Sequence, residues 1–184
     1  PIDVAERIPL ADLAKPYNLT FLYSDFYIKE NINLVCRMTP KIKNFIFIGD
    51  GRQSNQTNDW LIRQELKKNY PEVNYRFLSP QQLSANELLD TLYTIDPQTT
   101  GILFSSWIYK RSFAGNTSLV TNFHQLIATA PVPLFTIGMV TVKDTAGGML
   151  GGYVFDQDQY NRNVVNYLSL VLSGSKASDI PFYL

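Results

Sequence analysis

The chain has 184 residues, 16 Lys and Arg against 16 Asp and Glu, one cysteine, 45% hydrophobic and 13% aromatic side chains. That length and apolar content supply a packed core and exclude a disordered or low-complexity chain. Zero net charge argues against nucleic acid as a partner, no run reaches ~18 uninterrupted apolar residues, and one cysteine allows neither an internal disulfide nor a cysteine-based metal cluster.

Residues 1–22 read as an irregular lead-in punctuated by Pro9 and Pro16, with one short helix over 5–14. The chain starts at Pro1 without a basic-then-apolar leader, so it reads as a piece of something longer. Ser24 or Asp25 is placed to cap a helix over 28–38, with Ile28, Ile32, Val35 and Cys36 on its apolar side and Pro40 as its stop. Asn44-Phe-Ile-Phe-Ile-Gly49 is a strand, followed at once by Asp50–Asn55. A helix over 56–69 ends at Tyr70-Pro71, and Val73–Leu78 is the next strand. Ser84 begins a helix to Tyr93, with Leu88, Leu89 and Leu92 inward, and Gly101–Ser106 is a buried strand. A helix over 117–128 leads to a strand at Pro133–Gly138, and Gly147–Phe155 gives the last strand. The long helix over 157–173 carries Val164, Val165, Leu168, Val171 and Leu172 on one side, with Gly174 just past its end.

Short apolar strands alternating with helices predict βαβ units: an α/β fold whose parallel sheet has helices on both faces, a three-layer flavodoxin-like or Rossmann-like lobe. Ligands bind such sheets outside the carboxyl ends of the strands. That rule places the candidate site at Asp50–Asn55, Ser105–Arg111 and Gly138–Thr141.

Chemistry of reaction finds little support there. The one histidine, His124, falls inside a predicted helix, and no nucleophile–base pair forms around Ser105, Ser106 or the buried-type Cys36. Gly49-Asp-Gly51 sits where a dinucleotide fingerprint would, but Arg52-Gln53-Ser54 follows and the third glycine is missing. A phosphoacceptor receiver domain fails too, because Asp50 has no acidic neighbours and Ser105-Ser106-Trp107 stands where its aspartate belongs. What remains suits recognition: Arg52, Gln53 and Asn55 offer charge and amides, Ser105 and Ser106 hydroxyls, Trp107 and Tyr109 aromatic faces, and Arg111 a second guanidinium. The bland alternative is a solvated loop with an incidental tryptophan. No cofactor and no metal site are expected. The sequons at Asn18, Asn55 and Asn116 carry little weight, since such tripeptides arise by chance.

Three stretches resemble a known family: Pro131-Val-Pro-Leu-Phe-Thr-Ile-Gly138, Gly147-Gly-Met-Leu-Gly-Gly-Tyr-Val154, and a helix closing in Leu172-Ser-Gly-Ser175 before Asp179-Ile-Pro181. Their order and spacing, with Asp25–Leu34 and Pro40–Asp50 before them, are similar to type I periplasmic binding proteins, in particular the ABC-transporter substrate-binding-like family, over residues 20–184. The resemblance implies two α/β lobes hinged by crossing segments, of which this chain carries the second. Residues 1–22 would come from the missing first lobe, 23–150 would form the α/β lobe, and 151–184 would supply a crossing strand, long helix and return strand. The implied ligand contacts are Asp25, Arg52, Gln53, Ser105, Ser106, Trp107, Tyr109 and Gly138, with Arg52 and Trp107 foremost. The expected role is a non-enzymatic, extracytoplasmic (periplasmic) sensor domain of a histidine kinase, tied to a membrane only through its parent protein. The expected ligand is a sugar, a carboxylate or an aromatic metabolite. A transporter's substrate-binding protein and a dimerisation module, with a homodimer formed through the 157–173 helix, are the alternatives; an enzyme on the same layers is the least favoured.

Overall fold

Asn44–Ile48 alternates phenylalanine with isoleucine, so a strand there offers a full apolar surface to both sides and must lie at the centre of a sheet. A computed structural model describes residues 10–22, 26–110, 117–119, 130–137 and 149–181, with the backbone alone for 10–13, 109, 110 and 117–119. In it Asn44–Ile48 (β1) pairs in parallel with Asn74–Leu78 (β2) on one side and Thr100–Phe104 (β3) on the other. Leu134–Thr136 (β6) and Met149–Gly151 (β7) extend the sheet, giving the order β2-β1-β3-β6-β7, all parallel. Ile108–Lys110 (β4) and Thr117–Leu119 (β5) form a separate antiparallel pair.

The two faces of β1 organise two cores. Phe45 and Phe47 pack with Ile28, Ile32 and Val35 of helix Ile28–Met38 (α2) and with Ile62 and Leu66 of helix Gln53–Asn69 (α3). Ile46 and Ile48 face Leu88 and Leu92 of helix Ala85–Thr94 (α4), together with Phe104, Trp107 and Leu134. Each such side chain contributes about 1.5–3 kcal/mol by leaving water. The predicted α/β lobe with helices on both faces is therefore present.

The described parts of 1–25 and 155–184 make one compact unit, and those of 26–154 another. In the first, helix Leu10–Tyr17 (α1) lies against a 3-10 turn at Ala177–Asp179, and Asn18 Oδ1 accepts the Ser178 N–H at 3.2 Å. Helix Gln157–Leu172 (α5) starts at Asp156, whose carboxylate accepts the Gln159 N–H. It ends with Gly174 at φ +97°, where Gly174 and Ser175 N–H groups close back on Val171 and Leu170, a left-handed stop that glycine adopts without strain. Its anticipated apolar stripe is exposed: Val165, Leu168 and Leu172 are 60%, 56% and 86% accessible.

Two expectations need correction. Residues 117–119 begin no helix; they form β5, because the Thr117-Ser118 pair favours extended backbone and finds a partner strand in 108–110. The rest of that predicted helix, with His124, lies outside the described residues. No side chain caps the start of α2 among the described residues: the cap position is Tyr27, in left-handed geometry at φ 48°. Ser24 and Asp25 lie outside the described residues. Asn31, fully buried, does the tying instead, donating to the Phe26 carbonyl at 3.2 Å and exchanging two hydrogen bonds with the Tyr153 backbone at 2.8 and 2.9 Å. Gly152 is required beside it, since a Cβ there would stand 2.0 Å from the Thr136 carbonyl oxygen and 2.7 Å from Asn31 Oδ1.

Candidate functional site

The chain leaves β1 for β2 on one side and later crosses to β3 on the other, so the connections that follow β1 and β3 run in opposite directions and make a topological switch point between them. A cleft of about 830 Å³ opens there, within the size range of small-molecule pockets. Asp50, Gly51 and Arg52 line it from the end of β1, Trp107 and Ile108 from beyond β3, and Pro80, Gln81 and Leu83 from the loop after β2. Ser84, Ala85 and Asn86 at the start of α4 complete the wall.

At its centre is a buried carboxylate. Asp50 is 1% exposed, and its Oδ1 accepts the Arg52 backbone N–H at 3.0 Å, Arg52 Nε at 2.9 Å and Asn55 Nδ2 at 2.9 Å. Its Oδ2 accepts Arg52 Nε at 3.0 Å and the Ser106 hydroxyl at 2.8 Å. Burial alone would raise this carboxyl. The bonds from the Arg52 side chain and backbone, Ser106 and Asn55 outweigh it and hold Asp50 below its ordinary range, hence ionised.

Ser106 is saturated by the same network. Its one proton goes to Asp50, and its oxygen accepts Arg52 Nη2 and Asn55 Nδ2, each at 2.8 Å. Asn55, 1% exposed, spends both amide protons this way. The Gln81 amide lies over the bare backbone of Gly51, where a Cβ would stand 2.1 Å from Gln81 Nε2 and would require that exposed side chain to move aside. The start of α4 is answered within its own first turn, where Ser84 and Glu87 form reciprocal bonds.

The anticipated residues therefore separate. Arg52 and Trp107 both line the cleft, but Trp107 is 2% exposed and belongs mainly to the core beneath it. Ser106 joins Arg52 as scaffold rather than as a free hydroxyl. Gln53 is an exposed first residue of α3, and Ser105 is half-buried with its N–H on the Ile48 carbonyl at 2.9 Å; neither lines the cleft. Asp25 and Gly138 lie outside the described residues, as does the Tyr109 side chain. Gln81 and Asn86 were missed, because their loop reads in sequence only as a turn and a helix cap. Cys36 is an inert thiol, pushed up to about 11 by burial against a smaller opposing hydrogen bond with Tyr70. Among the described residues no cluster of His, Cys, Asp or Glu has the makings of a metal site, and no helix is long and apolar enough to cross a membrane.

No protein-family profile and no curated protein matches the chain. Solved structures do. A substrate binding protein with adhesive properties from Clostridium difficile, in its ligand-free, open structure, superposes with a TM-score of 0.63 at 12% identity. The chain shares the α/β fold of that structure over most of its own length. A conserved domain protein from Vibrio cholerae O1 biovar El Tor gives a TM-score of 0.61 at 14% identity. In both cases the match covers 89% of this chain but only 52% of the Clostridium chain and 51% of the Vibrio chain, so this chain spans about half the length of the structures it resembles.

Proposed function

We propose that this chain is one lobe of a type I periplasmic binding protein, which captures a small molecule outside the inner membrane and performs no reaction on it. The observation that carries the reading is the cleft at the β1/β3 switch point with Arg52 held on its wall by Asp50 and Ser106. Its two charged lining residues, Asp50 and Arg52, are engaged with each other, which suits holding and orienting a ligand better than moving its protons. In the parent protein the lobe acts as the extracytoplasmic sensor of a histidine kinase. The likeness to a substrate-binding protein supports the carrier role of a transporter instead; a downstream kinase core or adjacent permease genes separate these two.

The test is thermal unfolding of the chain with a panel of sugars, amino acids, carboxylates and amides. A ligand present at 100 times its Kd adds about 2.7 kcal/mol of stability, which raises Tm by about 5–11 °C for a chain of this size. A panel that leaves Tm unmoved throughout overturns the reading. The exposed apolar stripe of α5 favours a second one, a homodimer interface. A wild-type dimer that Leu168→Glu converts to monomer supports it, and a monomer in both removes it.

A further inference from the structure

The hydrogen-bond inventory around Arg52 narrows what the cleft accepts. A guanidinium has five N–H groups in a rigid plane. Nε–H is shared between the two oxygens of Asp50 at 2.9 and 3.0 Å, and one Nη2–H goes to Ser106 at 2.8 Å. Asp50 and Ser106 thus take one long edge of the guanidinium. Its end, with one N–H from Nη1 and one from Nη2 pointing the same way, meets no protein acceptor among the described residues, and the side chain is 55% exposed at the cleft.

We propose that this end fork holds the carboxylate of a small monocarboxylate ligand whose remaining body is uncharged. This rests on the reading of the cleft as a ligand site and names the chemistry of that site. Two parallel N–H donors match the two oxygens of a carboxylate, a geometry that a hydroxyl or a lone carbonyl fills only by half. Asp50 repels such a ligand, but from the far side of the guanidinium. Coulomb energies fall with distance, so an anion at the near end is attracted about twice as strongly as it is repelled from about twice as far. The helix α3 that follows Arg52 has no acidic residue in its first turn to oppose an anion. Among the described residues the wall carries no charge beyond Asp50 and Arg52: Pro80, Leu83 and Ile108 are apolar, while Gln81 and Asn86 add amides for one neutral polar group. A second charge on the ligand would find no counter-ion among the described residues of the wall.

The experiment titrates the full ¹⁵N-labelled chain with isosteric pairs, 3-methylbutanoate against 3-methylbutanamide and phenylacetate against phenylacetamide. Backbone signals of Gly51, Gln81 and Ile108 are followed. The expected result is binding of the carboxylates at least about tenfold tighter than of the amides. Arg52→Gln abolishes that preference and Arg52→Lys, which keeps the charge and the partner for Asp50, retains only part of it. Equal affinity within the pairs, or a carboxylate preference unchanged in both variants, overturns the inference. If neither member binds but a sugar from the stability panel does, the carboxylate assignment falls while the cleft reading stands. If nothing in either set binds, both fall.

Discussion

Asp50→Asn probes the arrangement on which the site depends. The substitution keeps size and shape and replaces one carboxylate oxygen by an NH2 group. With the amide oxygen at the Oδ1 position, the bonds from the Arg52 backbone, Arg52 Nε and Asn55 survive, whereas those from Ser106 and Arg52 Nε to Oδ2 turn into donor–donor contacts. A hydrogen bond to a buried charge is worth about 1.5–3 kcal/mol. Arg52, 55% exposed, recovers part of its share from water. The expected loss is about 3 kcal/mol, a Tm lower by about 6–12 °C. The pH dependence supplies an independent check. The native Asp50 carboxyl lies below its ordinary value of 3.8, so its stabilising contribution is complete above that value and disappears as pH falls through the lower native one. The wild-type and variant stabilities should therefore differ fully at neutral pH and converge on acidification below about pH 4. Urea unfolding followed by fluorescence of the buried Trp107, in a Trp60→Phe background, measures both. A loss under about 0.5 kcal/mol, the range of an ordinary surface substitution, or a gap that stays constant down to pH 3, would refute the idea that Asp50 is an ionised hub.

Asn31→Ala strips the Phe26 carbonyl and both backbone groups of Tyr153 of their partners inside the protein, with an expected loss of about 3–5 kcal/mol and faster amide exchange at Tyr153; exchange unchanged from wild type counts against the role given to Asn31. Asn58 is 1% exposed with neither amide atom partnered, so Asn58→Leu, close in volume, should raise stability by about 1–2 kcal/mol in a urea titration; a loss instead means that the amide has a partner in solution. Ser84→Ala removes the cap of α4 and should cost about 1 kcal/mol, with faster exchange at the Glu87 amide while β1 amides are unaffected; equal slowing or speeding at both places contradicts a local cap.

The sheet was legible because its strands carry their burial in local composition. Asn-Phe-Ile-Phe-Ile has no polar face to show to water, and Gly-Ile-Leu-Phe in β3 has none either, so both had to be central. The helices that cover them announced themselves through Ile28, Ile32 and Val35, and through Leu88 and Leu92. Where pattern and partner disagree, the partner wins: Leu119 has helical spacing to Phe123 and Ile127, yet 117–119 pairs with a strand about nine residues upstream. Helix α3 begins at Gln53 rather than at 56 because its first turn is polar and leaves no periodic trace. Glycines at strand ends read only as breakers, whereas Gly152 is small because the Thr136 carbonyl occupies the space.

The strand ends that line the cleft follow from the sheet pattern, but the roles of their side chains do not, and the reason is valence. A serine after a strand, in sequence, offers a donor and two acceptor positions, and Ser106 was counted as a ligand contact on that basis. Its capacity is consumed by Asp50, Arg52 and Asn55, which lie 56, 54 and 51 positions away along the chain. Asp50 lacks the acidic neighbours that a receiver domain needs, and the structure surrounds it with donors instead. Such a network is reached only when β1 and β3 lie side by side, with Ser105 N–H on the Ile48 carbonyl bringing the two strand ends together. Asp50, Asn55 and Ser106 thus spend their hydrogen bonds on one another and on Arg52, whose outer end meets no acceptor among the described residues. If the proposed ligand binds here, that guanidinium end and the amides of Gln81 and Asn86 are the groups that would select it, so specificity should change most on substituting those three.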